Sequence, residues 1–163
     1  MYAKDTTVSV EKSKMEIERL VSKYEASQFV SVWNGDKAVI GFSLHNRQVK
    51  FLLPLPDKKE RRFTHDRRGY ARAQSTVLSA WEQEVRSKWR ALFLVIKAKL
   101  EAVESGITSF EEEFLAHIVL PDGNTVGGWV GPQLEQIYTQ RNMPNLLPGA
   151  GESKVARDVE EYE

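Results

Sequence analysis

Between residues 75 and 106 the chain reads STVLSAWEQEVRSKWRALFLVIKAKLEAVESG. Apolar side chains recur at Leu78, Trp81, Val85, Trp89, Leu92, Ile96, Leu100 and Val103, in steps of three or four. That spacing lines one face of a 3.6-residue period and predicts a single long helix. At 1.5 Å per residue the helix would run about 45 Å, more than one wall of a small domain requires. Every other element must therefore pack on it or beside it. Its far end carries stop chemistry, because Gly106 suits a left-handed cap and Ile107 is the hydrophobic residue after it. Thr108-Ser109-Phe110-Glu111 then reads as a capping box, with Thr108 capping and Glu111 reaching back. A third helix is expected to start at once and run to about His117, with Phe110, Phe114 and Leu115 inward. So short a link implies a sharp helix–helix corner.

Upstream, residues 1–8 look loose. Ser9 can cap a first helix over 10–25, with Ile17, Leu20, Val21 and Tyr24 on one face. Three strands follow, at 28–33, 37–44 and 48–53, rich in β-branched and aromatic residues. Asn34-Gly35 is expected to make the first hairpin turn and His45-Asn46-Arg47 the second. Pro54 and Pro56 then end the sheet, since proline cannot donate to a ladder. Downstream, residues 118–120 read either as a short strand or as the end of a helix. Pro121-Asp122-Gly123 is a turn, and Thr125 can cap a last helix over 126–140. Gly127, Gly128, Gly131 and Pro132 weaken its first half, so a start at Pro132 is the alternative.

The expected fold class is α+β: N-terminal helix, three-stranded antiparallel meander, long central helix and two shorter C-terminal helices. At 163 residues and 41% apolar, the chain can bury a core in one domain, placed at 1–148. Val49, Phe51 and Leu53 alternate on one strand face and need a partner, which points to the sheet packing on the long helix. Residues 149–163 read as a flexible acidic tail.

Net charge is zero, so composition alone argues for no partner; distribution says more. Residues 58–72 hold seven cations, Lys58, Lys59, Arg61, Arg62, Arg67, Arg68 and Arg72, against Glu60 and Asp66. Residues 149–163 hold five acids against Lys154 and Arg157. Cysteine is missing from the sequence, which removes disulfides, thiolate catalysis and cysteine-based zinc sites. The N-terminal residues are polar, without the apolar run of a signal peptide. The longest strongly apolar run, 91–96, is far short of the roughly 20 residues of a membrane span. A soluble, cytoplasmic protein without a membrane partner is expected.

Catalytic and cofactor signals are weak. Gly123, Gly127, Gly128 and Gly131 fit neither phosphate-binding pattern and read as turn and packing glycines. Glu113 and His117 share a helix face, but Glu111 is poorly placed as a third ligand, so neither metal nor cofactor is expected. His65 and Asp66 are adjacent, and no nucleophile is positioned by motif. The chain reads as non-enzymatic.

The basic segment, taken as an exposed loop over 57–74, is the strongest functional signal. Arg61, Arg62, Arg67, Arg68 and Arg72 suit phosphates, with Lys58 and Lys59 beside them. Phe63 and Tyr70 suit base stacking. Arg86, Lys88 and Arg90 continue the charge onto the long helix. Arginine matters because its planar fork grips phosphate and stacks on flat rings. The expected partner is DNA or RNA. The alternatives are a host or phage protein of opposite charge, or a segment that serves only solubility. Trp81 and Trp89 read as core; for Trp33, beside a turn and half exposed at best, core is the default reading and a contact role the alternative.

Several stretches resemble a family of small phage- and prophage-encoded proteins. They are Trp89-Arg90-Ala91-Leu92, the run from Lys97 to Ile107, Glu113-Phe114-Leu115, Leu120-Pro121-Asp122-Gly123 and Thr125-Val126-Gly127. The likeness spans about residues 5 to 148 and brings no catalytic residues with it. It implies a protein acting in the infected cell, in phage DNA metabolism or against host defence; in that setting the charged segments read as binding nucleic acid or, as the alternative, as binding and inhibiting a host defence protein or nuclease.

Overall fold

The structure is a computed structural model that describes residues 3–140; the expected acidic tail lies outside the described residues. The chain divides into two compact units, Met1–Gly127 and Gly128–Glu163. The described elements confirm an α+β arrangement. In the first unit they run α1 (Val10–Lys23), β1 (Gln28–Asn34), β2 (Lys37–Leu44), β3 (Arg47–Pro54), α2 (Arg61–Thr64), α3 (Gln74–Glu104) and α4 (Phe110–Phe114). A 3-10 turn, Leu115–His117, continues α4. Helix α5 (Val126–Gln140) begins at the end of the first unit and forms the described part of the second.

The sheet is an antiparallel meander in the order β1-β2-β3. Its first loop is Gly35-Asp36, because Asn34 already pairs with Lys37. Gly35 takes a φ of 61°, which corrects the Asn34-Gly35 reading to a turn with glycine first. The second loop is His45-Asn46, both at positive φ, and Arg47 pairs with Leu44. Two-residue turns fix the register, and register decides which face is buried. Ala38, Ile40, Phe42 and Leu44 from β2 share the inner face with Val49, Phe51 and Leu53 from β3.

Helix α3 supplies Val85, Trp89, Leu92, Ile96 and Leu100 to the same core, and α1 supplies Ile17 and Val21. The sheet thus packs on the long helix, as the alternation in β3 required. The buried stripe continues backward to Val77 and not to Leu78, since steps of four from Val85 land on 81 and 77. The helix closes with Gly106 at φ 69°, Gly106 N donating to Val103 O and Ile107 N to Ala102 O.

The capping box is one residue later than its sequence pattern suggested. Ser109 caps α4 and Glu112 reaches back to the Ser109 N–H at 3.0 Å. The shift turns Phe110 and Phe114 inward together. Phe114 meets Phe42 and Phe51 edge-on, with centroids 6.0 and 6.4 Å apart, and stacks on Phe110 at 4.8 Å. Leu115, expected inward, is exposed because the 3-10 turn rotates it away. Residues 118–120 form no full strand; Ile118 bridges Val49 and Val119 bridges Thr125.

Helix α5 starts at Val126, so Gly127 and Gly128 are helical and Pro132 lies inside the helix. Gly127 has a steric reason: a Cβ there would stand 2.8 Å from the Ala116 carbonyl oxygen. Along α5, Trp129, Leu134 and Tyr138 are exposed. Among the described residues, no helix is long and apolar enough to cross a membrane.

Two predictions test this packing. Ile96 is fully buried while Val95, beside it, is largely exposed. Ile96→Ala should cost about 2–5 kcal/mol in urea unfolding, and Val95→Ala less than about 0.5 kcal/mol. The second concerns His117, which stacks on Phe51 at 4.0 Å. Burial holds its imidazole below the usual 6.5, Lys99 adds to this, and a backbone hydrogen bond at Lys50 opposes it. The unfolded chain therefore takes up the proton first, and stability falls as pH drops through that ordinary value. The urea midpoint should decline between about pH 7.5 and 5.5, and His117→Gln should flatten that decline.

Candidate nucleic-acid interface

The basic segment is an ordered, self-closed structure, which corrects the expectation of a bare loop. It leaves the sheet through Leu55 and Pro56, both buried. Trp81 of α3 donates its indole N–H to the Pro56 carbonyl at 2.7 Å and anchors the departure. Asp57, Lys59 and Glu60 then close a turn: Lys59 N donates to Asp57 Oδ1 and Asp57 N to Glu60 Oε1, each at 2.9 Å. Helix α2 follows and buries Phe63.

After α2 the chain doubles back. His65 bridges Ala71, and Arg72 N donates to Thr64 O at 2.8 Å. At the tip, Asp66 Oδ1 accepts the N–H groups of Arg68 and Tyr70, each at 2.9 Å. Gly69 turns the corner at φ 88°, a conformation that costs glycine little. The sequence signal for this tip is an Asp three residues before a Gly, the pattern of a side-chain-closed turn. Asp66 organises the tip and is not a partner of His65. His65 turns instead to the Thr64 hydroxyl at 2.9 Å.

The expected site residues separate into two groups. Phe63 is buried, and the Arg62 guanidinium lies 4.5 Å from its ring, so Phe63 has no open face for a base. Its expected stacking role is corrected by this burial. Arg62 pairs with Glu60 at 2.6 Å and Glu84 at 3.5 Å, tying α2 to α3. Arg86 bonds Gln83 at 2.6 Å and pairs with Glu82 at 3.9 Å on its own helix. Arg90 pairs with Glu16 of α1 and lies 4.4 Å over Phe93. Arg62 and Arg90 thus join elements, and Arg86 is engaged within α3.

The second group is Lys58, Lys59, Arg61, Arg67, Arg68 and Arg72, which form no ion pair among the described residues. Lys88, half-buried on α3, also forms none there but stands apart in sequence from the hairpin. The carboxylates of the segment are meanwhile occupied by its own backbone and by Arg62. The Arg62 hydrogen bond holds the Glu60 carboxyl below the usual carboxylate range. Arg61 belongs with the tip, its Nη2 3.8 Å from where a Cβ on Gly69 would stand. Tyr70 is 70% exposed. The result is a fixed hairpin with an uncovered aromatic ring set among unpaired arginines.

Elsewhere, Glu113 pairs with Lys99 at 2.9 Å, and His117 faces Phe51. Among the described residues, no three His, Asp or Glu side chains gather as metal ligands. No family model matches the chain, and neither a curated protein nor a solved structure matches it.

The hairpin geometry depends on Asp66. Asp66→Ala removes the acceptor for two backbone N–H groups, so trypsin should cut after Arg67 and Arg68 several-fold faster than in the unaltered chain. Mass spectrometry of a timed digest reads this, and global unfolding should change by no more than about 1–2 kcal/mol.

Proposed function

We propose that this chain binds nucleic acid through the hairpin at 57–73, as a binding activity and not a catalytic one. The observation that carries the reading is the hairpin tip, where Arg67, Arg68 and nearby Arg61 are unpaired and Tyr70 is exposed. Unpaired arginines release counterions when they meet phosphates, and this supplies affinity without sequence reading. An exposed aromatic ring stacks on an unpaired base, which favours single strands over duplex. Order in the hairpin before contact lowers the entropic cost of binding. The phage resemblance supplies a setting for the activity, phage DNA metabolism.

The test is binding to labelled single- and double-stranded oligonucleotides across a salt series. The combined Arg61, Arg67, Arg68 and Arg72→Ala variant should lose at least about tenfold in affinity. Its log–log salt slope should also be shallower by about 3, if each arginine meets one phosphate of a single strand. Replacing Arg62, Arg86 and Arg90 together should leave the slope unchanged. Affinity that is missing, or that is indifferent to the four hairpin arginines, would sink the proposal.

A further inference from the structure

A cleft opens beside the hairpin, at the end of the sheet where β1 turns into β2. Two adjoining hollows, of about 350 and about 420 Å³, are each lined by both Trp33 and Trp81. Trp33 sits on the inner face of β1, opposite buried Ala38, yet it is 51% exposed because the core ends before reaching it. Each indole has its polar atom satisfied by a backbone carbonyl. Trp33 Nε1 donates to Gly35 O at 2.8 Å, and Trp81 Nε1 to Pro56 O at 2.7 Å. The rings are thus held in place while their apolar faces line open space.

The smaller hollow also carries Asp36, Asp57 and Lys58. Asp57 is spent on Lys59 N, whereas the Asp36 side chain has no hydrogen bond among the described residues. Lys58 belongs at once to this hollow and to the basic segment, three residues before Arg61. The larger hollow is balanced in charge, with Lys14 and Arg86 against Glu11 and Glu82.

We infer that the smaller hollow is a nucleobase site: a base of a single strand stacks on Trp33 while Lys58 and the hairpin hold the adjoining phosphates. Three features select this occupant. Fixed indole faces suit a flat ring, and stacking tolerates any base. The hollow falls at the lower end of the volumes of small-ligand sites, room for a base and not for a folded partner. A carboxylate beside the ring can accept hydrogen bonds from a base's N–H groups but would repel phosphate, which places the backbone on the Lys58 side. The inference rests on the nucleic-acid reading above and adds a second contact point to it, so the strand runs from Trp33 toward Tyr70.

The experiment compares a labelled 12-nucleotide single strand, as DNA and as RNA, with an abasic strand of equal length. Trp33→Ala should weaken the base-bearing strands about tenfold or more and leave the abasic strand unchanged. Trp33→Phe, which keeps a ring, should recover most of the loss. In the unaltered chain, the base-bearing strand should quench tryptophan emission and the abasic strand should not. Equal weakening of both strands by Trp33→Ala, no weakening of either, or equal quenching by both overturns the base site while leaving phosphate binding standing. An unaltered chain that binds neither strand overturns both proposals together.

Discussion

The apolar stripe of α3 is the contact on which the other elements depend. Trp89, Ile96 and Leu100 are almost wholly removed from water, and they face α1 on one side and the inner sheet face on the other. A three-stranded meander is at the lower limit of what stands alone in water, and a single amphipathic helix cannot bury its own stripe. Both therefore depend on packing against α3, which joins them in one core. The aromatic set Phe42, Phe51, Phe110 and Phe114 closes the remaining side, so the corner after Gly106 is part of the core.

This division of labour explains how charge is spread over the surface. Arginines near element boundaries are consumed in joining elements: Arg62 joins α2 to α3, and Arg90 joins α3 to α1. Such pairs in exposed positions contribute modestly each. Among the described residues, the remaining cations of the hairpin keep no acid partner, because the segment's own carboxylates are held by its backbone and by Arg62. A segment of seven cations on a chain of zero net charge thus keeps a local excess.

Element identity was legible in the sequence because it follows from period and caps. The 3.6 spacing of α3, the alternation in β3 and the glycine at 106 each act locally, and each is present in the fold. Boundaries that depend on a choice between neighbours were not legible. Thr108 and Ser109 are equally good caps in isolation, and the choice of Ser109 follows from Phe110 and Phe114 reaching the sheet. The same holds for Asn34-Gly35 against Gly35-Asp36, where the strand pairing decides. In the candidate interface, composition located the cations but could not tell Arg61 from Arg62. That difference comes from Glu84, 22 residues from Arg62, and from the buried Phe63 ring beneath the Arg62 guanidinium.

The N-terminal strap adds a constraint in time. Residues 4 and 6 have their carbonyl oxygens held by Gln83 and Ser87, 77 to 83 residues later in the chain. Helix α1 likewise waits for α3 to complete the core in which Ile17 and Val21 are buried. The meander pairs between neighbours in the chain, whereas α1 completes its packing only when α3 has followed. The segment before the sheet is therefore among the last to reach its final packing, because its partners lie far along the chain.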